Sequence, residues 1–155
     1  MIESWTFTNL RNQSWSFNTD TCPMHDFTIE GSTRMTDRPR MQQHGDWEGF
    51  NYLDHLTVHI EGDLIRDTTE LYIAARMQLM AMLHPPPGRQ KSRIWGTLTV
   101  KYFGFEAVKN RTTGDSYASM PMSAQAPSTV GPYMIQWKVF DPYWTGVGTG
   151  NRYLI

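Results

Sequence analysis

Leu56 to Leu83 reads "LTVHIEGDLIRDTTELYIAARMQLMAML" and changes period halfway along. Leu56, Val58 and Ile60 alternate with Thr57 and His59, the period of two expected of a half-buried strand. Gly62-Asp63 marks a turn after it. Asp67-Thr-Thr-Glu70 then resembles a capping box with Asp67 as the cap, and no Gly or Pro interrupts the run to Leu83. Leu71, Ala75, Leu79 and Met82 share a helical face, widened by Tyr72, Met80 and Leu83. Pro85-Pro86-Pro87-Gly88 stops the helix, because proline lacks the amide donor and clashes with the preceding turn. A strand and one helix, packing on the sheet through Leu71, Ala75 and Leu79, are therefore expected here.

Outward from this stretch, short period-two runs dominate. Ser4 to Thr8 places Trp5 and Phe7 on one parity, and Ser14 to Phe17 and Phe27 to Glu30 are brief strands of the same kind. After the prolines, "TLTVKYFGFEAV" from Thr97 to Val108 returns to alternation, with Gly104 expected at a bulge or close approach. Asn110 to Asp115 reads as a polar turn, and Met120 to Gly131, rich in Pro and Ser, as a loop. Tyr133, Ile135, Trp137 and Val139 form a last strand ended by Pro142. The pattern is mainly β with one α-helix: a β-sandwich or split barrel with a mid-chain helix packed on it.

Length and composition narrow the classes. At 155 residues one domain, 1–155, is expected, with 145–155 as a flexible or interface arm. The chain is 39% hydrophobic with six Trp and ten Met, whereas charged residues reach only 19%, below the usual quarter; these are the side chains that anchor interfaces. The net charge is −1 and no basic stripe is present, which disfavours sequence-independent nucleic-acid binding. The single cysteine, Cys22, allows no intrachain disulfide and fits a reducing compartment. "MIESWTFTNL" at the start has neither a basic nor an apolar signal region, and no stretch is long and apolar enough for a membrane span.

The motifs that could carry chemistry are weak. Gly146, Gly148 and Gly150 have no following Lys-Ser/Thr, so a terminal arm is a better reading than a phosphate loop. Cys22 and His25 would need two more zinc ligands. His55 and His59, on a strand, stand roughly 13 Å apart, too far to share an ion. Cys22 with His44 and Asp46 has no nucleophile-elbow context, and nothing pairs Glu3, Asp54, Glu61 or Asp63. No catalytic residue, metal or cofactor is expected. Aromatic side chains on a β-scaffold leave a carbohydrate-binding module as the alternative, although Trp95 and Trp137 lie in or beside strands where core packing is the commoner role.

The order of the pieces carries more than any one of them. Arg40 and His44-Gly45 lead, through "HGDWEGFNYLDHLTVHIEGDLI", into a strand-turn-strand ending at Ile65. The helix from Thr68 to Leu83 lies between strands, and a late strand closes in Asp141-Pro142 of "FDPYW". Over about residues 25–145 the chain resembles the siphophage distal tail protein family. That resemblance implies a structural virion protein at the tail tip, made in the host cytoplasm. It implies a hexameric ring joining the tail-tube protein to a central hub or baseplate protein, with DNA passing through the lumen without specific binding. Many relatives carry a second, galectin-like domain after the ring domain; here the sequence ends soon after Trp144, and no such domain is expected. A head-to-tail ring needs two different complementary patches per copy. The candidate subunit or partner interface is Arg40, His44 and Gly45, together with Trp144, Tyr153, Leu154 and Ile155 of the tail.

Overall fold

The computed structural model describes residues 2–35, 38–39, 46–47, 51–85, 94–122, 129–139 and 141–154, and the side chains of these except between 32 and 55. In chain order the elements are β1 (Ile2–Asn9), β2 (Ser14–Phe17), β3 (Met24–Met35), β4 (Arg38–Pro39), β5 (Asp46–Trp47) and β6 (Asn51–Ile65). Then come α1 (Thr69–Leu83), β7 (Ile94–Tyr102), β8 (Val108–Thr113), β9 (Tyr117–Ser119), β10 (Val130–Val139), β11 (Trp144–Gly146) and β12 (Arg152–Tyr153). All strand pairings are antiparallel, in the order β2-β1-β7-β8-β10-β6-β3, with β11 beside β8, β12 beside β11 and β9 beside β10.

The sheet folds over on itself. Strands β8 and β10 share a single cross-strand pair, Val139 with Thr112. One layer is therefore β2-β1-β7-β8-β11-β12 and the other is β9-β10-β6-β3. Alternation supplies the filling: Trp5 and Phe7 from β1, Leu98 and Val100 from β7, Val58 and Ile60 from β6, and Ile135 and Trp137 from β10 are all buried. Trp137 is the hub of the aromatic core. Its ring stacks on Trp5 at 6.5 Å and Phe7 at 5.7 Å, and Phe17 meets it edge-on at 5.7 Å. The fold is thus mainly β with one helix, arranged as a sandwich.

The helix departs from expectation in two details. Its cap is Thr68, not Asp67: Thr68 is extended and its hydroxyl accepts from the Leu71 amide at 3.2 Å. Its inner face is Tyr72, Ala75, Leu79, Met82 and Leu83, whereas Leu71 points outward. The helix is apolar on both sides, so spacing alone does not select the buried face. Tyr72 does: it lies against Gly131 of β10, where any Cβ would overlap its hydroxyl. The last turn docks on the other layer. The Met82 carbonyl accepts from the Trp95 indole at 3.2 Å and the Asn9 amide at 3.3 Å, and the Leu83 carbonyl accepts from Ser116 at 2.7 Å. Carbonyls orphaned at the helix end are satisfied in this way, and the helix bridges the two layers.

Three loop expectations change as well. Gly62-Asp63 is no turn: β6 runs through it to Ile65, with Gly62 opposite Tyr133 and Asp63 opposite Pro132 of β10. Asn110 to Thr113 belongs to β8 rather than to a turn, because the buried Asn110 side chain donates to the carbonyls of Asp141 and Tyr143. The turn comes earlier, between β7 and β8. Gly104 sits there at φ +75° with open space where a Cβ would be, so it serves backbone conformation and not close approach. No helix among the described residues is long and apolar enough to cross a membrane.

Candidate functional site

The tail after Pro142 is a folded hairpin. Strand β11 pairs with β8 through Thr145–Lys109 and Gly146–Val108, and β12 returns along β11 through Trp144–Tyr153. The turn is closed by Gly146 N to Asn151 O at 2.7 Å and Gly150 N to Gly146 O at 3.0 Å. Inside the turn lies the carboxylate of Glu106. One oxygen accepts from the amides of Gly148 at 3.2 Å and Thr149 at 3.1 Å. The other accepts from the hydroxyls of Thr149 and Tyr153, both at 2.6 Å. Those bonds, led by the Thr149 hydroxyl, hold the Glu106 carboxyl below the usual carboxylate range. Gly146 is needed because a Cβ there would run into this carboxylate, and Gly150 because its φ is +72°. The Gly-rich run therefore cradles an anion, and that anion is the chain's own.

Around this hairpin sits an apolar patch. Phe105 meets the Tyr153 ring edge-on at 5.0 Å. Phe103, Phe105, Val147 and Leu154 are all exposed. A second exposed apolar group lies on α1, where Ile73 and Met77 stand one turn apart and face solvent, Met77 at 63% exposure; Leu71, 53% exposed, points to another side of the helix. The two groups lie on different elements: α1 precedes β7 in the chain, and the Phe103–Phe105 turn follows the end of β7. Exposed apolar side chains gathered in this way are candidate contact surfaces.

The expected interface residues separate in space. Trp144 is fully buried, edge-on to Trp5 at 6.5 Å, so its ring serves the chain's own core. Tyr153 is half-buried and held by Glu106, and Leu154 is 57% exposed. Arg40, His44, Gly45 and Ile155 lie outside the described residues. Glu106, Phe103 and Phe105 were not expected. The signal for them was two aromatics flanking a turn glycine in "FGFE", read instead as strand.

The candidates for chemistry are placed apart. Cys22 is buried, which pushes its thiol pKa up and away from reactivity. His25 pairs with Asp63 at 2.6 Å and His59 with Glu61 at 2.8 Å, both at the surface. Among the described residues no three His, Cys, Asp or Glu come together as metal ligands. Trp5, Trp95, Trp137 and Trp144 are all buried, so these four rings are not available for stacking on a sugar.

No protein-family model matches the chain, and no characterised protein sequence does. Chains of known structure do match, nine in all. One is the Dit (gp 19.1) protein of SPP1, whose crystal structure is described as a paradigm of the hub adsorption apparatus in phages infecting Gram-positive hosts. The TM-score is 0.53 at 14% identity, over 92% of this chain and 52% of that one. This chain spans about half the length of that phage protein, and what the two share is the fold.

Proposed function

We propose that this chain is the ring-forming domain of a distal tail protein, a structural component of the virion tail tip in a long-tailed phage. In this reading residues 1–155 form one domain, copies assemble into a hexameric ring, and the ring joins the tail-tube protein to a central hub or baseplate protein while DNA passes through its lumen. The observation that carries it is the fold likeness to a phage hub protein over 92% of the chain. The surface supports it. A ring between two different neighbours needs two distinct contact sites, and the exposed apolar groups on α1 and on the tail hairpin lie on different elements.

Mass photometry of the purified protein, alone and with the tail-tube protein, tests this reading. A hexamer in either condition, seen as a ring by negative stain, is the expected result. A monomer in both, with no such ring in the source particle, would refute it.

A further inference from the structure

The two outer faces of the sandwich differ in character. On the β1–β7–β8 layer the outward side chains form two continuous cross-strand rows: Ser16–Thr6–Thr99–Lys109–Thr145–Arg152 and Ser14–Thr8–Thr97–Arg111. Neither row contains an apolar residue or a carboxylate. Among the described residues four cations on this face, Lys101, Lys109, Arg111 and Arg152, stand against two carboxylates, Glu3 and Asp141, a net charge of +2. Those two acids are already used, Glu3 on Lys101 at 3.1 Å and Asp141 on Arg152 at 3.0 Å. Lys109 and Arg111 have no ion pair among the described residues. Both line a cleft of about 600 Å³ walled by Tyr143.

The opposite face is acidic. Outward from β3, β6 and β10 the rows are Glu30–Thr57–Lys138, Thr28–His59–Gln136 and Asp26–Glu61–Met134. Among the described side chains Asp26, Glu30, Glu61 and Asp63 stand against Lys138, a net charge of −3 with histidines neutral. Glu61 and Asp63 are paired to histidines, whereas Asp26 and Glu30 are exposed and without a cation among the described residues. A sandwich with one basic and one acidic face is complementary to itself in a head-to-tail sense, and not face to like face.

We propose that the basic, hydroxyl-rich face of one copy docks on the acidic face of the next, with Lys109 and Arg111 receiving Asp26 and Glu30 of a second copy of this chain. The inference rests on the ring reading and supplies its lateral contact, leaving the two apolar patches free for neighbours along the axis. A net −1 chain keeps this pairing as a division of charge between faces. Since the groups are exposed, association weakens as salt rises.

Charge swaps test it, read by light scattering at low salt with the tail-tube protein present if the wild type needs it. K109E/R111E takes the basic face from +2 to −2, and D26K/E30K takes the acidic face from −3 to +1. Each variant alone is expected to associate at least about tenfold more weakly, because like charges then meet. An equimolar mixture is expected to reassemble, since the two variants alternate around a closed ring with opposite charges at every junction. Thermal melts check that both still fold, and K109Q/R111Q, with an intermediate loss, replaces the reversal if that variant unfolds. A wild type that stays monomeric overturns the ring reading and this contact together. A wild-type ring matched by an unimpaired K109E/R111E ring, or by no rescue in the mixture, overturns the face pairing alone. Unimpaired assembly with loss of salt-dependent duplex-DNA binding makes the basic face a phosphate surface instead, and likewise overturns the pairing.

Discussion

Leu71 and Leu79 are the same residue on the same helix, and trimming each to alanine separates burial from everything else. Leu79 is 0% exposed and lies among the core side chains, whereas Leu71 is 53% exposed. Removing a buried leucine beyond its Cβ forfeits about 2–3 kcal/mol of transfer free energy. The cavity left behind adds to that, so Leu79→Ala is expected to cost about 3–5 kcal/mol. Leu71→Ala loses less contact, leaves no cavity, and gains slightly in helix propensity, so about 0–1 kcal/mol is expected. Urea unfolding followed by tryptophan fluorescence suits the measurement, because Trp5, Trp95, Trp137 and Trp144 are buried and report on the core. With a slope of about 2 kcal/mol per molar, the Leu79 variant should unfold roughly 1.5–2.5 M earlier than the wild type. Protein concentration is held fixed, because an assembling subunit gains apparent stability by mass action. If the Leu71 change costs as much as the Leu79 change, or the Leu79 change costs less than about 0.5 kcal/mol, the assignment of the inner face is wrong.

Two further outcomes follow from close contacts in the fold. Gly131→Ala places a Cβ against the Tyr72 hydroxyl, and a cost of about 1–3 kcal/mol by calorimetry is expected from the forced shift of the helix; a neutral result would mean that Tyr72 does not seat the helix there. Glu106 has its folded pKa depressed below the ordinary 4.5, so its hold on the tail turn is full above that value and is lost as pH falls through the folded value. Exchange protection of the Gly148 and Thr149 amides should drop across that window in the wild type and show no such step in Glu106→Gln; identical profiles would remove Glu106 from the account.

Much of the fold was legible because alternation and helical spacing are local properties. Leu56–Ile60 and Tyr133–Val139 lie within β6 and β10, and Ser14–Phe17 is β2 as expected. What local pattern does not contain is the partner. Asn110 and Thr112 look like turn residues until the carbonyls of Asp141 and Tyr143 arrive from about thirty residues away to satisfy the buried amide. Leu71 matches the helical stripe as well as Tyr72 does, and only Gly131 on another strand decides between them. Of β3, only Phe27–Glu30 was visible, since its pairing runs on past an irregular register at Gly31–Thr33 that alternation does not reveal.

The tail shows the same limit more sharply. Three glycines in five residues, followed by Tyr-Leu-Ile, suggest an arm that orders only on a neighbour, because free glycines lose the most entropy on folding. That inference assumes nothing inside the chain offsets the loss. Glu106 does, through two amides and two hydroxyls, and Trp144 anchors the first strand of the hairpin in the core. A lone glutamate forty residues upstream gives no sign of this in sequence. If the chain assembles as proposed, the consequence is one of preorganisation. Leu154, Val147 and the Phe103–Phe105 turn are presented on a framework ordered before any partner arrives, so a neighbour that covers them meets little of the ordering cost that a free arm would impose.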